Sequence, residues 1–355
     1  MSSARAMREA VTDLLDELPA DAAAKARFDF DDHARIDWSY FPKEMIGSTF
    51  HGLPLGDVSP MRQKQIYRLV GQGTSAHAFG KVSAIRSLEP TLDAREGYVR
   101  TSVRDSLRYY LAIFGEPAET GVWGWRFEGH HVSISHTIID DRVVASTPLF
   151  FGSNPAEIRH GDLPVIRPLG EEEDVGRTLV TSLDTDQQRI AILDPIAPID
   201  VIVPNLPEIP QTARPGDPAH PLEIFQTAFD ALPEETKDRL ALDLAGPKGI
   251  AHADLDERQR AIFDDLVDVY ISRLPSDLHE TEQARIAAAD PGLLHFAWAG
   301  STQRRGPHYY RVQGPELLIE YDCVQDDADH IHAVWRNPAA DFGGDVLRAH
   351  RATGH

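Results

Sequence analysis

The sequence predicts an α+β protein of two similar halves, an internal duplication in which each half is a set of helices followed by an antiparallel β-meander. Three observations predict it. Helix-start signals precede each half, runs of alternating apolar and polar residues close each half, and the second run repeats the first at a constant offset of 185 residues. A chain of 355 residues also exceeds the size at which a single core usually stops growing, so two units are the natural expectation.

The first helix is expected over residues 3–18, where Met7, Val11, Leu14, Leu15 and Leu18 fall on one face at helical spacing. Ser59-Pro60 reads as the start of the next, with Pro at the first helical position. Asp184 with Gln187, and Asp256 with Gln259, read as capping boxes, an Asp N-cap answered by Gln three residues on. Eight prolines between residues 195 and 221 exclude helix and central strand, so that stretch is expected to be an extended connector. The expected organisation is a lead-in over 1–58, a first repeat over 59–194, the connector over 195–222 and a second repeat over 223–355. The last repeat would end in a C-terminal helix running from a turn at Asp341 through His350.

Setting residues 110–141 against 295–326 aligns Ala112 with Ala297, Gly115 with Gly300, Arg126 with Arg311, Gly129 with Gly314, Ile134 with Ile319 and Asp141 with Asp326. Apolar and polar residues alternate on both sides of the shared glycine. Each copy therefore reads as a β-hairpin with that glycine at the first turn position, residue 128 facing 131 and 313 facing 316. Faces follow from the period of two. Trp123, Trp125, Phe127, Val132, Ile134 and Ile138 form one core face, and Tyr310, Val312, Leu317, Ile319 and Tyr321 the other, joined by Ile331, Ala333 and Trp335 of a third strand. The opposite, polar faces carry Arg126, Glu128 and His131 in the first hairpin and Tyr309, Arg311, Gln313, Glu316, Glu320 and Asp322 in the second, with His330 and His332 on the third strand. His136 and His308 fall on the apolar faces and are expected to be hydrogen-bonded core histidines.

If Asp322 pairs with His330, then Glu320 lies opposite His332 and the four side chains cluster. Two imidazoles and a carboxylate on adjacent strands form the ligand set of an open two-histidine, one-carboxylate site, which zinc with a catalytic water also accepts. The same residues serve equally as a solvated sheet face with cross-strand charge pairs.

Composition narrows the function classes. A formal charge of −21 argues against nucleic acid as a partner, which calls for a basic stripe. The single cysteine, Cys323, excludes an internal disulfide. No run approaches the roughly 20 apolar residues of a membrane span, and the charged N-terminus lacks the apolar core of a signal peptide, so a cytoplasmic location is expected. Gly71-Gln-Gly73 follows a capped helix instead of a strand, which removes it as a dinucleotide fingerprint. No Gly-x-Ser-x-Gly elbow is present.

Three blocks in order resemble a known family. They are Trp123-Gly-Trp-Arg-Phe-Glu-Gly-His-His131, His308-Tyr-Tyr-Arg-Val-Gln-Gly-Pro315 with Leu318-Ile-Glu-Tyr-Asp322, and His330-Ile-His-Ala-Val-Trp-Arg336 with Asp341-Phe-Gly. Together they are similar to the uncharacterised family called domain of unknown function 3500, over roughly residues 45 to 352. The chain departs from the family pattern at Cys323, Ser135 and His136. The resemblance implies a shared architecture and names no activity.

The functional expectation is a metal-dependent enzyme acting on a small polar or anionic substrate, most simply a hydrolase. His330, His332 and Glu320 would hold a divalent metal, zinc before iron or copper, with His131 as a further ligand from the first half. Asp322 would be the general base, and Arg126 and Arg311 would orient the substrate. An iron or copper oxidoreductase using the same ligands and a non-catalytic binding or structural module are the alternatives.

Overall fold

The apolar spacing at the N-terminus becomes helix α1, Ser3–Glu17, in the computed structural model, which describes residues 2–42, 51–99, 103–344 and 347. Ser2 caps it by accepting from the Arg5 amide, and Met7, Val11 and Leu14 are buried along its inner face. The fold is mixed α+β. The chain divides into two compact units, the first made of Met1–Phe150, Ser272–Glu282 and Ala339–His355, the second of Phe151–Ile271 and Gln283–Pro338.

In the first unit α1 is followed by α2 (Ala20–Ala26), β1 (Arg27–Phe28), β2 (Leu53–Pro54), α3 (Pro60–Gly73), α4 (Ala76–Ser87) and α5 (Glu89–Arg95). The strands β3 (Tyr109–Gly115), β4 (Val122–Gly129), β5 (Val132–Ile139) and β6 (Arg142–Ala145) then form an antiparallel meander. Strand β7, Leu149–Ser153, comes next in the chain. Pro60 stands in the first turn of α3 as expected, but the Ser59 side chain makes no capping bond. Helix α1 packs on α3, and the Trp125 indole N–H points at the Met7 sulfur, 3.2 Å away.

The second unit opens with a small hairpin, β8 (Ile158–His160) and β9 (Leu163–Ile166), then α6 (Gly170–Ser182), α7 (Thr185–Ala191) and β10 (Ile192–Asp194). A long stretch without regular structure follows, in the proline-rich segment. Next come β11 (Thr212–Ala213), α8 (Glu223–Asp230), α9 (Glu234–Leu240), β12 (Leu242–Asp243), β13 (Ile250–Ala251) and α10 (Glu257–Ile271); α11 (Ser276–Ala287) starts in the Ser272–Glu282 segment counted with the first unit and ends in the second. The meander is β14 (His295–Gly300), β15 (His308–Gly314), β16 (Leu317–Cys323) and β17 (Ile331–Arg336). Both capping boxes form, Asp184 with Gln187 and Asp256 with Gln259, each pair bonding reciprocally through side chain and amide.

The pairings recur 185 residues apart. Ala112 faces Arg126 as Ala297 faces Arg311, and Gly129 faces Val132 as Gly314 faces Leu317. These strands belong to one large sheet that is mixed, not purely antiparallel, because in each unit a short strand adds in parallel: β1 beside Ile113 of β3, and β10 beside Trp298 of β14. A second short strand adds antiparallel to the same partner, Leu53 opposite Leu111 and Ile250 opposite Phe296. Each of these is preceded by a glycine of positive φ, Gly52 at 123° and Gly249 at 104°, where a Cβ would collide with the Leu111 and Phe296 carbonyls.

The expected core faces are buried throughout, with Trp123, Trp125, Phe127, Ile134, Tyr310, Ile319, Tyr321 and Trp335 all closed to solvent. The hairpin turns sit elsewhere than expected. They are His130-His131 and Pro315-Glu316, with His131 supplying the left-handed residue at φ 63°. Gly129 stays in the strand, and its missing side chain makes room for the Tyr109 ring, which a Cβ would approach to 2.6 Å. Moving the turn by one residue shifts the pairing by two, so side-chain faces survive and partners change. The expected C-terminal helix through His350 lies mostly outside the described residues.

Candidate functional site

The polar sheet faces are not solvated, which overturns the surface alternative. Arg126, Glu128, Arg311, Gln313, Glu320, Asp322 and His332 are each at most 1% exposed. In the first unit, residues 34–40 lie over the polar face: Arg126 donates to the Ala34 and Arg35 carbonyls at 2.8 and 3.0 Å, and the Ser39 amide donates to Glu128. The Arg126 and Glu128 side chains form a buried ion pair at 2.8 Å. In the second unit, the Ile202 and Val203 amides donate to Glu320 at 2.7 and 3.1 Å, and the Leu240 and Ala241 carbonyls accept from Arg311 at 2.7 and 3.2 Å. Each arginine therefore directs donors to main-chain carbonyls.

The expected register of β16 and β17 is corrected by two residues. Asp322 faces His332, and Glu320 faces Val334. The connection is longer than a tight hairpin would need: three consecutive left-handed residues, Asp326, Asp327 and Ala328, intervene, and β17 begins only at Ile331. His330 precedes the strand. It lies 3.2 Å from the Asn154 amide nitrogen and 3.4 Å from an Asp326 oxygen, its ring edge-on to His332 at 4.7 Å between centroids. Glu320 is bound by the two connector amides and by the Tyr309 hydroxyl at 2.8 Å, and burial raises its pKa. His131 belongs to the first unit, where its amide donates to Tyr40 and its ring stacks on His130 at 3.7 Å.

Asp322 and His332 meet a residue that the sequence reading missed. Asp200 stands in the proline-rich segment, fully buried, and one ligand atom from each of Asp200, Asp322 and His332 lies within 4.8 Å of the others. His332 Nδ1 is 2.7 Å from Asp200 Oδ1 and 3.6 Å from Asp322 Oδ2. The Val201 amide also donates to Asp200 Oδ1, at 2.7 Å. On the far side, His220 Nε2 lies 2.9 Å from Asp200 Oδ2, while the Leu222 amide donates to His220 Nδ1 at 3.0 Å. His220 Nδ1 also lies 3.3 Å from the Leu222 carbonyl, so both ring nitrogens are engaged.

The two carboxylates are driven apart electrostatically. Burial pushes the Asp322 pKa well above the usual carboxylate range, and the charge of Asp200 adds to the effect. Burial acts the same way on Asp200, but the His332 and His220 imidazoles outweigh it and hold that group well below the usual range. Asp322 interacts with the Asp200 carboxyl and the His332 amide, so two acids and an imidazole share one closed site. A signal for Asp200 exists in the sequence: it is the one acid inside the apolar run Ile199-Asp-Val-Ile-Val203, between prolines.

The two apolar-face histidines are ordinary core residues. His136 Nε2 lies 2.9 Å from the Gly73 carbonyl and Nδ1 3.1 Å from the Ser146 hydroxyl; burial lowers its pKa to about 4. His308 Nδ1 lies 2.8 Å from the Gly306 carbonyl, and burial followed by the Arg177 charge lowers it to about 4 as well.

A family model described as "Protein of unknown function (DUF3500)" matches residues 1–344. The chain belongs to this family. No curated protein and no solved structure matches the chain. Membership of the DUF3500 family thus agrees with the three sequence blocks and assigns no reaction. Among the described residues, no helix is long and apolar enough to cross a membrane.

Proposed function

We propose that this DUF3500 protein binds a divalent metal ion, zinc most simply, through Asp200, Asp322 and His332 of the second unit. On this reading the bound ion serves the hydrolysis of a small polar or anionic substrate. The observation that carries the proposal is the buried trio itself, in which one ligand atom from each of Asp200, Asp322 and His332 lies within 4.8 Å of the others. A cation there would compensate two carboxylates buried side by side. Asp200 is itself fixed by His220 and the Val201 amide, so it would present a positioned carboxylate to the ion. A bound zinc supplies a Lewis acid for a carbonyl or phosphoryl oxygen. His330 edges the same cluster, whereas Glu320 is already saturated by its own donors.

One observation favours a second reading. The three residues are nearly sealed from solvent, as structural ions are, while catalytic ions keep an open position. One experiment tests both. Chelator-stripped protein is titrated with zinc by calorimetry, metal content is measured by mass spectrometry, and turnover of simple carboxylate and phosphate esters is followed. One equivalent of zinc, lost in Asp322→Asn and His332→Ala variants that keep their circular dichroism, supports the site. Turnover that appears with zinc supports the hydrolase, and a raised melting temperature without turnover supports the structural ion. Failure of wild-type protein to bind any divalent ion overturns both.

We also infer that the two units are diverged copies of one ancestral unit, supported by the common 185-residue offset of their pairings. At that offset Thr137 stands where Asp322 does and Ser135 where Glu320 does, so neither acid of the second copy has a counterpart in the first.

A further inference from the structure

The three groups of the proposed metal site are sealed, so an ion needs a way in. The Asp200, Asp322 and His332 side chains are 0%, 1% and 2% exposed. A series of ligand-type groups leads from them to the surface. The His330 ring stands edge-on to His332 at 4.7 Å between centroids and is 12% exposed. Beyond it, Asp326 Oδ2 lies 3.4 Å from His330 Nδ1, and the Asp326 side chain is 63% exposed. The buried Asn154 side chain ties this outer pair together. Its amide nitrogen donates to Asp326 Oδ2 at 2.9 Å and lies 3.2 Å from His330 Nδ1. Exposure therefore rises in steps, from imidazole to imidazole to carboxylate. The backbone holds this arrangement at a cost. Asp326, Asp327 and Ala328 take three consecutive left-handed conformations, φ 54°, 58° and 61°, which disfavour any residue with a Cβ. Strain of this kind persists where the surrounding structure over-determines it, commonly beside ligands.

We infer that Asp326 and His330 are the entry route of the ion, ligating it in passing and handing it to Asp200, Asp322 and His332. This rests on the metal reading above and adds how the site is filled. A divalent ion moving into a protein interior without ligands meets a large desolvation cost. Oxygen and nitrogen donors of the kinds zinc accepts replace its waters one step at a time, and the exposed carboxylate draws a cation from solvent. A group that ligates only in passage lowers the barrier in both directions and leaves the end states unchanged. Its loss slows loading and release by the same factor and leaves the dissociation constant alone.

The test is stopped-flow kinetics on the full chain with zinc as the probe. Zinc-free protein is mixed with zinc and a chromophoric zinc indicator to follow loading, and zinc-loaded protein with excess indicator to follow release. His330→Ala should slow both by at least tenfold, and Asp326→Asn both by at least threefold, with dissociation constants from calorimetry within threefold of wild type. Asp162→Asn, an exposed acid of the same unit away from this series, should match wild type. Unchanged rates in either of the first two variants, while wild type binds zinc, would overturn the entry route alone. So would faster exchange in His330→Ala, which makes the ring a plug, or weaker affinity at an unchanged loading rate, which makes it a resident ligand. Equal slowing by Asp162→Asn would overturn the role of Asp326. A wild type that binds no zinc overturns the metal reading and this inference together. Unchanged circular dichroism of the variants guards against misfolding.

Discussion

Replacing Glu128 by Gln tests whether the polar sheet face is part of the core. The wild-type carboxylate pairs with Arg126 at 2.8 Å, with both side chains about 1% exposed, and accepts the Ser39 amide. Glutamine keeps the shape and removes the charge, leaving the guanidinium buried without its counter-ion. Breaking one side of such a pair costs about 3–5 kcal/mol. Arg126 keeps its bonds to the Ala34 and Arg35 carbonyls, and burial already opposes ionisation of Glu128, so the lower figure is expected. With a urea slope of about 2 kcal/mol per molar, the midpoint should fall by about 1.5 M. Tryptophan fluorescence follows it, because Trp38, Trp123 and Trp125 are buried in the same unit. Replacing both partners, Arg126→Met with Glu128→Leu, strands no charge but leaves the Ala34 and Arg35 carbonyls and the Ser39 amide without these partners, so it should also destabilise, by about 1–3 kcal/mol for each buried group left unpaired. A midpoint shift under about 0.3 M in either variant would refute the reasoning.

Three further outcomes are expected. Ile319→Ala, on the apolar face of β16, should cost about 2–5 kcal/mol in chemical denaturation, the range for a large buried aliphatic leaving a cavity; a cost near zero would mean the face is misassigned. Gly129→Ala should destabilise through the Tyr109 ring, although this glycine has no left-handed backbone, and a Gly129→Ala/Tyr109→Leu pair should recover part of the loss if the ring is the cause. Stability should fall as pH drops from about 6.5 to about 4, because His136 and His308 stay neutral in the folded chain while the unfolded chain takes up their protons. Each should contribute about 3 kcal/mol over that window, and a His136→Gln/His308→Gln variant whose pH slope matched wild type would contradict this.

The sequence by itself determined what depends on local periodicity. The amphipathic face of α1, both capping boxes, the parity that buries Trp125 and Ile319, and the two core histidines follow from spacings within one element, where a side chain's direction is set by the helical or strand repeat. Register was not determined in this way. Turns at Gly129-His130 and at His130-His131 give the same face pattern, and tertiary packing distinguishes them: the Tyr109 ring and the Arg108 carbonyl stand where a Gly129 Cβ would be. Nor could alternation reveal that the polar faces are covered. A strand with one polar side reads alike whether water or backbone amides satisfy it; here residues 34–40 in one unit and 200–203 in the other supply the amides and carbonyls. The Asp200–Asp322–His332 cluster depends on the same kind of closure. Its members lie 122 and 10 residues apart in sequence, and a proline-rich connector has no periodicity to say which side chain it turns inward, so tertiary packing alone brought that acid to the sheet.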